Sequence, residues 1–363
     1  MTDSLAQLTQ ILEAEDRVAM ATLVATRGTT PKKEGAKMWV GADGAIRGSV
    51  TIGGCVDARV IKEADGVLVS RKPVFLTMSL GEEEAWDLGL SCAGDVDVLV
   101  ESVGAEADDP IRALHRRIAA EVDQGRGAAR LTRLGGEFER AVVLEDGSVE
   151  GTLGSEALDS EAADVAVSLI RRGVSRTVEL GGGDVKAFCD VSAPPATVMV
   201  FGATEVAIHL VVLAREVGFR TVVVDGRSRF ANRERFPTAD RLVVGMPSEV
   251  VGELDYTART FVILLAHDYK YDIPVLKAVL KTDVPYIGLL GSSRRGAAIK
   301  DFLVQDDVAP TDLERVRVPA GLDIGAEDAP AIALSILAEA MAEAAGKEGG
   351  FLRNRRASQG PPS

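Results

Sequence analysis

After Pro195 the sequence alternates apolar strand patterns with helical patterns, and this alternation limits the fold more than any other feature of the chain. The first strand pattern, Ala196–Phe201, leads through Gly202 into a helical pattern and then into a second strand pattern that closes with Asp225. The alternation continues to a final helical pattern at Pro330–Ala344. Such a pattern predicts a doubly wound parallel sheet, which binds ligands at the carboxyl ends of its strands. We therefore expect a Rossmann-like α/β domain here.

The glycine turn after the first strand departs from the dinucleotide-binding pattern. Gly202 stands where such folds place their first glycine, and Asp225 stands where they place the carboxylate that binds the ribose. The second glycine lets the backbone approach a pyrophosphate, but here it is replaced by Thr204, and Glu205 adds a negative charge. Two interpretations stay open: a nucleotide site formed by Gly202 and Asp225, or a purely structural Rossmann-like core.

Two polar clusters and a glycine loop follow later strands of the same domain. The candidate ligand-binding residues are His267, Asp268, Lys270 and Asp272 after one strand, Gly291, Ser292, Arg294 and Arg295 after the next, and the loop Gly321–Glu327 before the last helix. The first group could transfer protons or hold a ligand, while arginines at a helix start suit a phosphate. The alternatives are a helix cap at Asp272 and a solvated arginine face. Since parallel strands end at one edge of a sheet, we expect these groups to lie near one another.

A cysteine follows two glycines in the stretch Gly48–Val60, which runs from a strand pattern into the pattern of an amphipathic helix. Gly53 and Gly54 allow a ligand to approach the main chain closely, and Cys55 is expected at the helix start. A thiol at a helix start should ionise more readily, and the thiolate is the form that attacks electrophiles or binds metals. The alternative is that Cys55 is a small buried hydrophobic residue at a tight turn.

The other two cysteines occupy different settings. Cys92 lies in a second glycine-containing turn, Leu88–Asp95, whereas Cys189 lies within a strand pattern and is expected to be packed rather than reactive. The three cysteines form no CxxC pair and no disulfide framework, which is typical of reduced thiols. The three histidines are scattered along the chain, which argues against a closed structural zinc site.

The prolines of the turn Ser192–Pro195 separate two halves that differ in their pattern of predicted strands and helices. We predict an N-terminal α+β domain at 1–192, a Rossmann-like domain at 196–345, and a disordered tail at 346–363 that is rich in glycine, arginine, serine and proline. No internal repeat of roughly 20 to 50 residues is recognisable.

The composition of the chain limits the kinds of partner that it can bind. The chain is 46% hydrophobic and 26% charged, and its formal net charge of −14 argues against nucleic acid or an anionic membrane as a general partner. The apolar runs are too short to span a membrane, and Met1–Leu12 lacks the features of a signal peptide. These properties predict a cytoplasmic protein.

Several uncommon strings in this chain resemble the XdhC/CoxI family of molybdenum hydroxylase maturation proteins. They are Gly28-Thr-Thr-Pro31, Gly35-Ala-Lys-Met38, Gly48–Val56, Trp86-Asp-Leu-Gly-Leu-Ser-Cys92, Phe201–Arg235, Ala266–Asp272, Gly291–Arg295 and Gly321–Glu327. The resemblance implies a chaperone, rather than a catalyst, that binds molybdenum cofactor, supports its sulfuration and inserts it into a hydroxylase of the xanthine dehydrogenase, aldehyde oxidoreductase or CO dehydrogenase type. One departure is specific: relatives carry Gly-Ala-Gly-His where this chain has Gly202-Ala-Thr-Glu205.

The resemblance also assigns roles to residues and names partners. It implies that Cys55 and Cys92 handle sulfur or contact molybdenum, and that the cofactor is molybdopterin or its cytosine dinucleotide form. The implied partners are the apo-hydroxylase, a cysteine desulfurase, a molybdenum cofactor nucleotidyltransferase and a second copy of the chain. Two alternatives stay open. One is an NAD(P)-dependent oxidoreductase with His267 or Lys270 as proton donor, and the other is a docking module without a cofactor.

Overall fold

A computed structural model of the chain describes residues 4–28, 32–51, 54–80 and 94–354. The chain divides between Pro194 and Pro195 into two compact units. No helix in the described part is both long and apolar enough to cross a membrane.

The first half of the N-terminal unit forms an antiparallel sheet with two helices. Its elements in chain order are α1 (Ser4–Ala14), β1 (Arg17–Gly28), β2 (Lys37–Gly41), β3 (Ile46–Gly48), α2 (Cys55–Ser70), β4 (Val74–Leu80) and β5 (Gly94–Gly104). The sheet order is β3-β2-β1-β5-β4. Helix α2 buries Val56, Val60, Ala64 and Val67, and these side chains share a hydrophobic cluster with residues of β1 and β5. The three- and four-residue spacing of these side chains places them on one helix face, as the sequence pattern predicts.

The second half repeats this architecture element by element. Its elements are α3 (Pro110–Asp123), β6 (Ala128–Arg133), β7 (Arg140–Leu144), β8 (Val149–Gly151), α4 (Glu156–Arg172), β9 (Arg176–Leu180) and β10 (Val185–Ser192). The sheet order is β8-β7-β6-β10-β9, which is the order of the first sheet with every strand number raised by five. We refer to residues 4–104 as the first copy and to residues 110–192 as the second copy. This internal duplication was not apparent from the sequence.

The strand registers equate individual residues of the two copies. Lys37 pairs across the sheet with Thr22 in the first copy, and Arg140 pairs with Thr132 in the second. On the other side of each central strand, Glu101 faces Met20 in the first copy, and Asp190 faces Arg130 in the second. Lys37 is therefore equivalent to Arg140, Glu101 to Asp190, and Met20 to Arg130.

The equivalent charges pair reciprocally between the copies. Lys37 Nζ lies 2.8 Å from Asp190 Oδ2, and Arg140 Nη2 lies 2.7 Å from Glu101 Oε1. Arg130 adds a further cation, 3.0 Å from Glu101 Oε2 and 3.8 Å from Asp190 Oδ2. All of these side chains except Arg140 are buried. Buried charges are tolerated only when they are paired, so these pairs fix how the two copies meet.

The C-terminal unit contains a parallel six-stranded sheet. Its elements are β11 (Thr197–Phe201), α5 (Glu205–Glu216), β12 (Arg220–Asp225), β13 (Arg241–Val244), α6 (Pro247–Val250), β14 (Thr260–Leu264), α7 (Tyr269–Val279), β15 (Tyr286–Leu289), α8 (Ser293–Gln305), α9 (Pro310–Leu313), β16 (Val316–Arg317) and α10 (Ala329–Ala344). The sheet order is β13-β12-β11-β14-β15-β16.

Helices cover both faces of this sheet. One hydrophobic cluster joins the sheet to α5 and α10 through Leu210 and Ile336, and a second joins it to α7 and α8 through Leu276 and Leu303. The strand order and the two covered faces are those of a doubly wound Rossmann fold. The predicted fold class is therefore confirmed: an antiparallel α+β region followed by a Rossmann-like domain.

The reciprocal pairs predict that two substitutions of buried cations differ in cost. Lys37→Met removes the cation at 2.8 Å from Asp190 and leaves it Arg130 at 3.8 Å, so we expect the free energy of unfolding to fall by about 3–5 kcal/mol. Arg130→Met leaves both reciprocal pairs in place and introduces the residue found at the equivalent position, Met20, so its cost should be less than half as large. Urea unfolding followed by tryptophan fluorescence measures both costs, because both tryptophans, Trp39 and Trp86, belong to this unit. If Lys37→Met and Arg130→Met lower the free energy of unfolding by the same amount, the two reciprocal ion pairs do not fix the contact between the copies.

Candidate functional site

The cysteine stretch begins where β3 ends and continues into α2. Gly48 closes β3 with a φ of 73°, and Gly54 precedes the helix with a φ of 99°. Residues other than glycine rarely adopt such angles, so both glycines are required by the turn. Cys55 is the first residue of α2, as predicted. Gly53, Cys92 and the side chain of Cys55 lie outside the described part of the chain.

The segment 49–51 in front of the cysteine is held by two side chains that the sequence analysis did not single out. Asp57, in the first turn of α2, accepts hydrogen bonds from the Ser49 hydroxyl at 2.5 Å and from the backbone N–H of Val50 at 3.2 Å. Lys32, directly after the string Gly28–Pro31, donates from Nζ to the Ser49 carbonyl oxygen at 2.7 Å. Two stretches that are separate in the sequence are thus joined next to the helix start. An acidic residue in the first turn of a predicted helix was the available signal for Asp57.

Cys189 is packed, as expected. It is fully buried in β10, and burial together with the neighbouring Asp190 raises the pKa of its thiol. A buried, protonated thiol is inert, so Cys189 is no candidate for sulfur chemistry.

The glycine turn of the C-terminal unit is closed by protein groups. Gly202 has a φ of 110°, and a Cβ atom there would lie 2.7 Å from the backbone nitrogen of Ala266. The side chain of Thr204 caps α5 by accepting a hydrogen bond from the Ala207 N–H at 3.4 Å. The close approach at Gly202 therefore packs this turn against the chain that follows β14, and the residue type is explained without a ligand.

The carboxylate of Asp225 is already bound within the unit. One oxygen accepts the Ala203 N–H at 2.7 Å, and Arg227 donates from Nε and Nη2 at 2.9 and 2.8 Å. Burial opposes ionisation, but the hydrogen bonds from Arg227 and Ala203 outweigh it and hold the pKa of Asp225 below its usual value. Asp225 lies at the end of β12, where a ribose-binding carboxylate is expected, yet its oxygens are engaged by Ala203 and Arg227.

Arg227 belongs to an arginine-rich loop after β12 that the sequence analysis did not select. Its guanidinium carbon lies 4.1 Å from the centroid of the Phe230 ring, and that of Arg235 lies 4.9 Å from the same centroid. Arg235 also donates to the Ala203 carbonyl oxygen at 3.2 Å. The loop is therefore tied to the glycine turn. The concentration of arginines between 227 and 235 was a usable sequence signal.

Arg295 is the centre of a charged cluster beyond β14 and β15. Its Nη2 donates to Asp272 Oδ2 at 2.6 Å, its Nη1 lies 2.9 Å from His267 Nδ1, and its guanidinium lies over the Tyr269 ring at 4.9 Å. The sequence analysis named these polar residues as candidates from their positions after two successive strands. The structure brings His267, Asp272 and Arg295 together at the carboxyl edge of the sheet.

Burial shapes the protonation of this cluster. Burial raises the pKa of Asp272 to about 6, although Arg295 works in the opposite direction. Burial and the nearby Arg295 lower the pKa of His267, which favours a neutral ring that can accept a hydrogen bond from Arg295. His267 has a φ of 56°, unusual for a residue with a side chain.

The remaining candidates take different positions. Asp268, not Asp272, caps α7, and its side chain accepts the Lys270 N–H at 2.9 Å, so the alternative of a cap at Asp272 is wrong.

Gly291 precedes Ser292, which caps α8. Arg294 is exposed and makes no contact with the Arg295 cluster among the described residues. Gly321 donates its N–H to Glu339 of α10 at 2.8 Å. The described residues contain no group of His, Cys, Asp and Glu suited to a metal ion.

The fold and these residues define a class of protein: a duplicated α+β unit with a cysteine at a helix start, followed by a Rossmann-type domain whose glycine turn is altered. Residues 198–340 match the model of the XdhC Rossmann domain, and residues 11–79 match the model of the XdhC and CoxI family. The chain belongs to the XdhC/CoxI family.

Three relatives extend this likeness over most of the chain. A Bacillus subtilis protein, named as a probable component of xanthine dehydrogenase, is 25% identical and covers 92% of this chain and 94% of its own. The molybdenum cofactor insertion chaperone PaoD of Escherichia coli is 25% identical and covers 88% of this chain and 81% of its own. The crystal structure of a xanthine dehydrogenase from Bacillus halodurans matches with a TM-score of 0.71 and 25% identity over 99% of this chain and 98% of that one.

We expect NAD(H) and NADP(H) to bind poorly, because the Asp225 carboxylate is bound internally, Thr204 replaces a glycine and Glu205 repels phosphate. Calorimetric titration should show dissociation constants weaker than roughly 1 mM, or about −4 kcal/mol. The double variant Thr204→Gly, Glu205→His should gain affinity, because it restores close approach and removes the repelling charge. Micromolar binding by the unaltered chain would refute this expectation and revive the oxidoreductase alternative.

Proposed function

We propose that this protein is a maturation chaperone that binds molybdenum cofactor and inserts it into an apo-molybdenum hydroxylase. The likeness to the Escherichia coli insertion chaperone along 88% of the chain carries this proposal. The cofactor is cargo, a phosphorylated pterin whose dithiolene holds molybdenum. A carrier for it needs donors for the phosphate and a soft group near the metal.

We assign the metal end of the cofactor to the cysteine segments. Thiolates are soft ligands, and a thiol at a helix start lies where thiolates are favoured. Cys55 begins α2, directly after Gly54, which has no side chain to block the approach of a ligand to the main chain. Cys55 and Cys92 would hold molybdenum or the sulfur that replaces an oxo ligand, with a cysteine desulfurase as sulfur donor. The chain's further partners would be the apo-hydroxylase, a cofactor nucleotidyltransferase and a second copy of itself, all in the cytoplasm.

We propose that the carboxyl edge of the Rossmann-type sheet is a second, independent binding position, which takes the phosphate group of the cofactor. Helix α8 begins there with Ser292 as its cap, and the N–H groups of a helix start favour an anion. Arg294 is exposed at this helix start, while Arg295 is fixed by Asp272 and Tyr269. Arg294 would supply the positive charge, whereas Arg295 is ion-paired with Asp272 and is already ordered. The same edge could take the mononucleotide or the cytosine dinucleotide form of the cofactor.

Replacing the cysteines tests the metal end. Cys55→Ala should lower both the molybdenum cofactor bound per folded protein and the activation of the client hydroxylase, and Cys92→Ala should act in the same direction. Neither should shift the melting temperature much, because alanine removes one sulfur atom from a turn. Cofactor content, by pterin fluorescence and metal analysis, and melting temperature should be measured on the same samples.

The third cysteine is the matched control. Cys189→Ala opens a small cavity in the core of the second copy, so stability should fall by about 1 kcal/mol while cofactor loading per folded molecule is kept. If Cys55→Ala loads and delivers cofactor as the unaltered chain does, the cysteine segment is not the metal end, and a docking role without cofactor gains support.

Neutralising Arg294 tests this second binding position. Arg294→Gln should weaken cofactor binding by roughly three- to tenfold through the loss of one phosphate contact, with an unchanged melting temperature because the side chain is exposed. Arg241→Gln is the control, since this exposed arginine lies at the amino end of β13, at the opposite edge of the sheet. Equal losses in both variants would mean that net charge, not a phosphate site, governs binding.

A further inference from the structure

The carboxyl edge of the Rossmann-type sheet exposes large apolar side chains as well as charge. Four side chains at the ends of neighbouring strands are each at least 37% exposed: Phe230 after β12, Val244 and Met246 at and beyond the end of β13, and Tyr269 after β14. Exposed apolar side chains that gather in one place mark binding sites, and doubly wound folds bind ligands at this edge. The edge therefore suits a ligand that is partly apolar as well as anionic.

Met246 connects the loop after β12 with the first turn of α7. A Cβ atom at Gly226 would lie 2.7 Å from Met246 Sδ, so this sulfur packs against the residue before Arg227. The Tyr271 hydroxyl lies 3.9 Å from the same sulfur. The hydrogen bonds to Asp225 are the main cause of the raised pKa of Arg227, and the nearby Tyr271 adds to it. Met246 and Tyr271 therefore lie beside Arg227.

Arg227 presents an ordered, planar guanidinium at this place. Its Nε and Nη2 donate to the two oxygens of Asp225, and its guanidinium carbon lies 4.1 Å from the centroid of the Phe230 ring. The side chain of Arg227 is nevertheless 55% exposed. A guanidinium that is held along one edge and stacked on one face can stack a planar ring on its other face, as arginines do with unpaired bases.

The place of Arg227 in the sheet indicates which ring of the cofactor it would contact. The proposed phosphate position lies at the start of α8, which follows β15, and β12 lies three strand positions from β15. Three strand spacings amount to about 14 Å, which an extended nucleotide with a pyrophosphate can span. The pterin carries the dithiolene and the metal, which the cysteine segments would hold. The ring beyond the phosphate is therefore a nucleobase.

We infer that Arg227, stacked on Phe230, binds the nucleobase of a cofactor in its dinucleotide form, an inference that rests on the proposed function. Met246 and Tyr271 would border the ring, since a flexible thioether adapts to irregular contacts. The ion pair with Asp225, which occupies the carboxylate that a dehydrogenase uses for ribose, here orients the stacking group. A cofactor without a nucleotide offers this position no base, so Arg227 distinguishes the two forms.

The test measures the affinity of the full-length chain for two probes, cytidine diphosphate and inorganic pyrophosphate, by phosphorus NMR titration. Both probes carry a pyrophosphate, but only the first carries a base, so the ratio of their dissociation constants reports the contribution of the nucleoside. In the unaltered chain, cytidine diphosphate should bind roughly tenfold more tightly than pyrophosphate, as expected for one stacked base.

Substitutions in the loop after β12 assign that contribution to Arg227. Arg227→Lys keeps a positive charge beside Asp225 but removes the guanidinium plane, so cytidine diphosphate should bind roughly five- to tenfold more weakly while pyrophosphate binding is unchanged. Phe230→Leu removes the ring beneath the guanidinium and should cause a smaller loss of the same kind. Arg229→Lys, at an exposed position of the same loop, is the matched control and should bind both probes as the unaltered chain does.

The outcomes separate this inference from the proposed function. Arg294→Gln should weaken both probes by a similar factor and leave their ratio unchanged. If Arg227→Lys leaves the ratio unchanged, or if the unaltered chain binds both probes equally or neither of them, the inference is wrong, even where Cys55→Ala lowers cofactor loading.

Two further results would also overturn the inference. One is that hydroxymethylpterin binds more tightly than cytidine diphosphate and depends on Arg227, which would give this position to the pterin ring. The other is that Arg227→Lys lowers the melting temperature while Phe230→Leu binds cytidine diphosphate normally, which would show a merely structural role for the arginine.

Discussion

The N-terminal unit depends on two buried ion pairs that cross between its halves. Lys37 of the first copy pairs with Asp190 of the second, and Arg140 of the second pairs with Glu101 of the first. A buried pair contributes little net stability, but an unpaired buried charge is very costly, so each copy can bury its charged strand face only against the other. This reciprocity fixes the pairing of the two sheets and leaves the helix-bearing face of the first sheet to present α2. Helix α2 packs on that face through Val56, Val60, Ala64 and Val67.

Each unit contains a carboxylate that accepts a hydrogen bond from the backbone of the segment before a helix. Asp57 holds the segment before α2, and Asp225 holds the glycine turn before α5 through the Ala203 N–H. In the first case the carboxylate comes from the helix itself, and in the second from the neighbouring strand. Each carboxylate satisfies backbone donors that would otherwise need water or a ligand.

Much of the fold could be predicted from periodicity, whereas the internal duplication could not. The strand and helix alternation after Pro195 predicted the parallel sheet, and the spacing from Val56 to Val67 predicted the buried face of α2. The duplication was missed because its equivalent residues share little identity: Met20 corresponds to Arg130, and Lys37 to Arg140. Equivalence is visible in strand register, which sequence alone does not give. The position of Asp225 was predictable, but its engagement by Arg227 depends on how the following loop folds back, a tertiary property.

The altered glycine turn lacks the open geometry of a dinucleotide site. A dinucleotide site requires a bare turn and a free carboxylate, and here Thr204 caps the helix while Arg227 and Ala203 bind the carboxylate. Asp272 and Tyr269 hold Arg295 at the start of α8, which follows β15, two strands away from β11 in the sheet. Because a doubly wound sheet gathers all its strand ends at one edge, a ligand site can move from one βα turn to another while the core stays unchanged. The proposed anion-binding position uses this freedom, since it lies at a different βα turn of the same sheet edge.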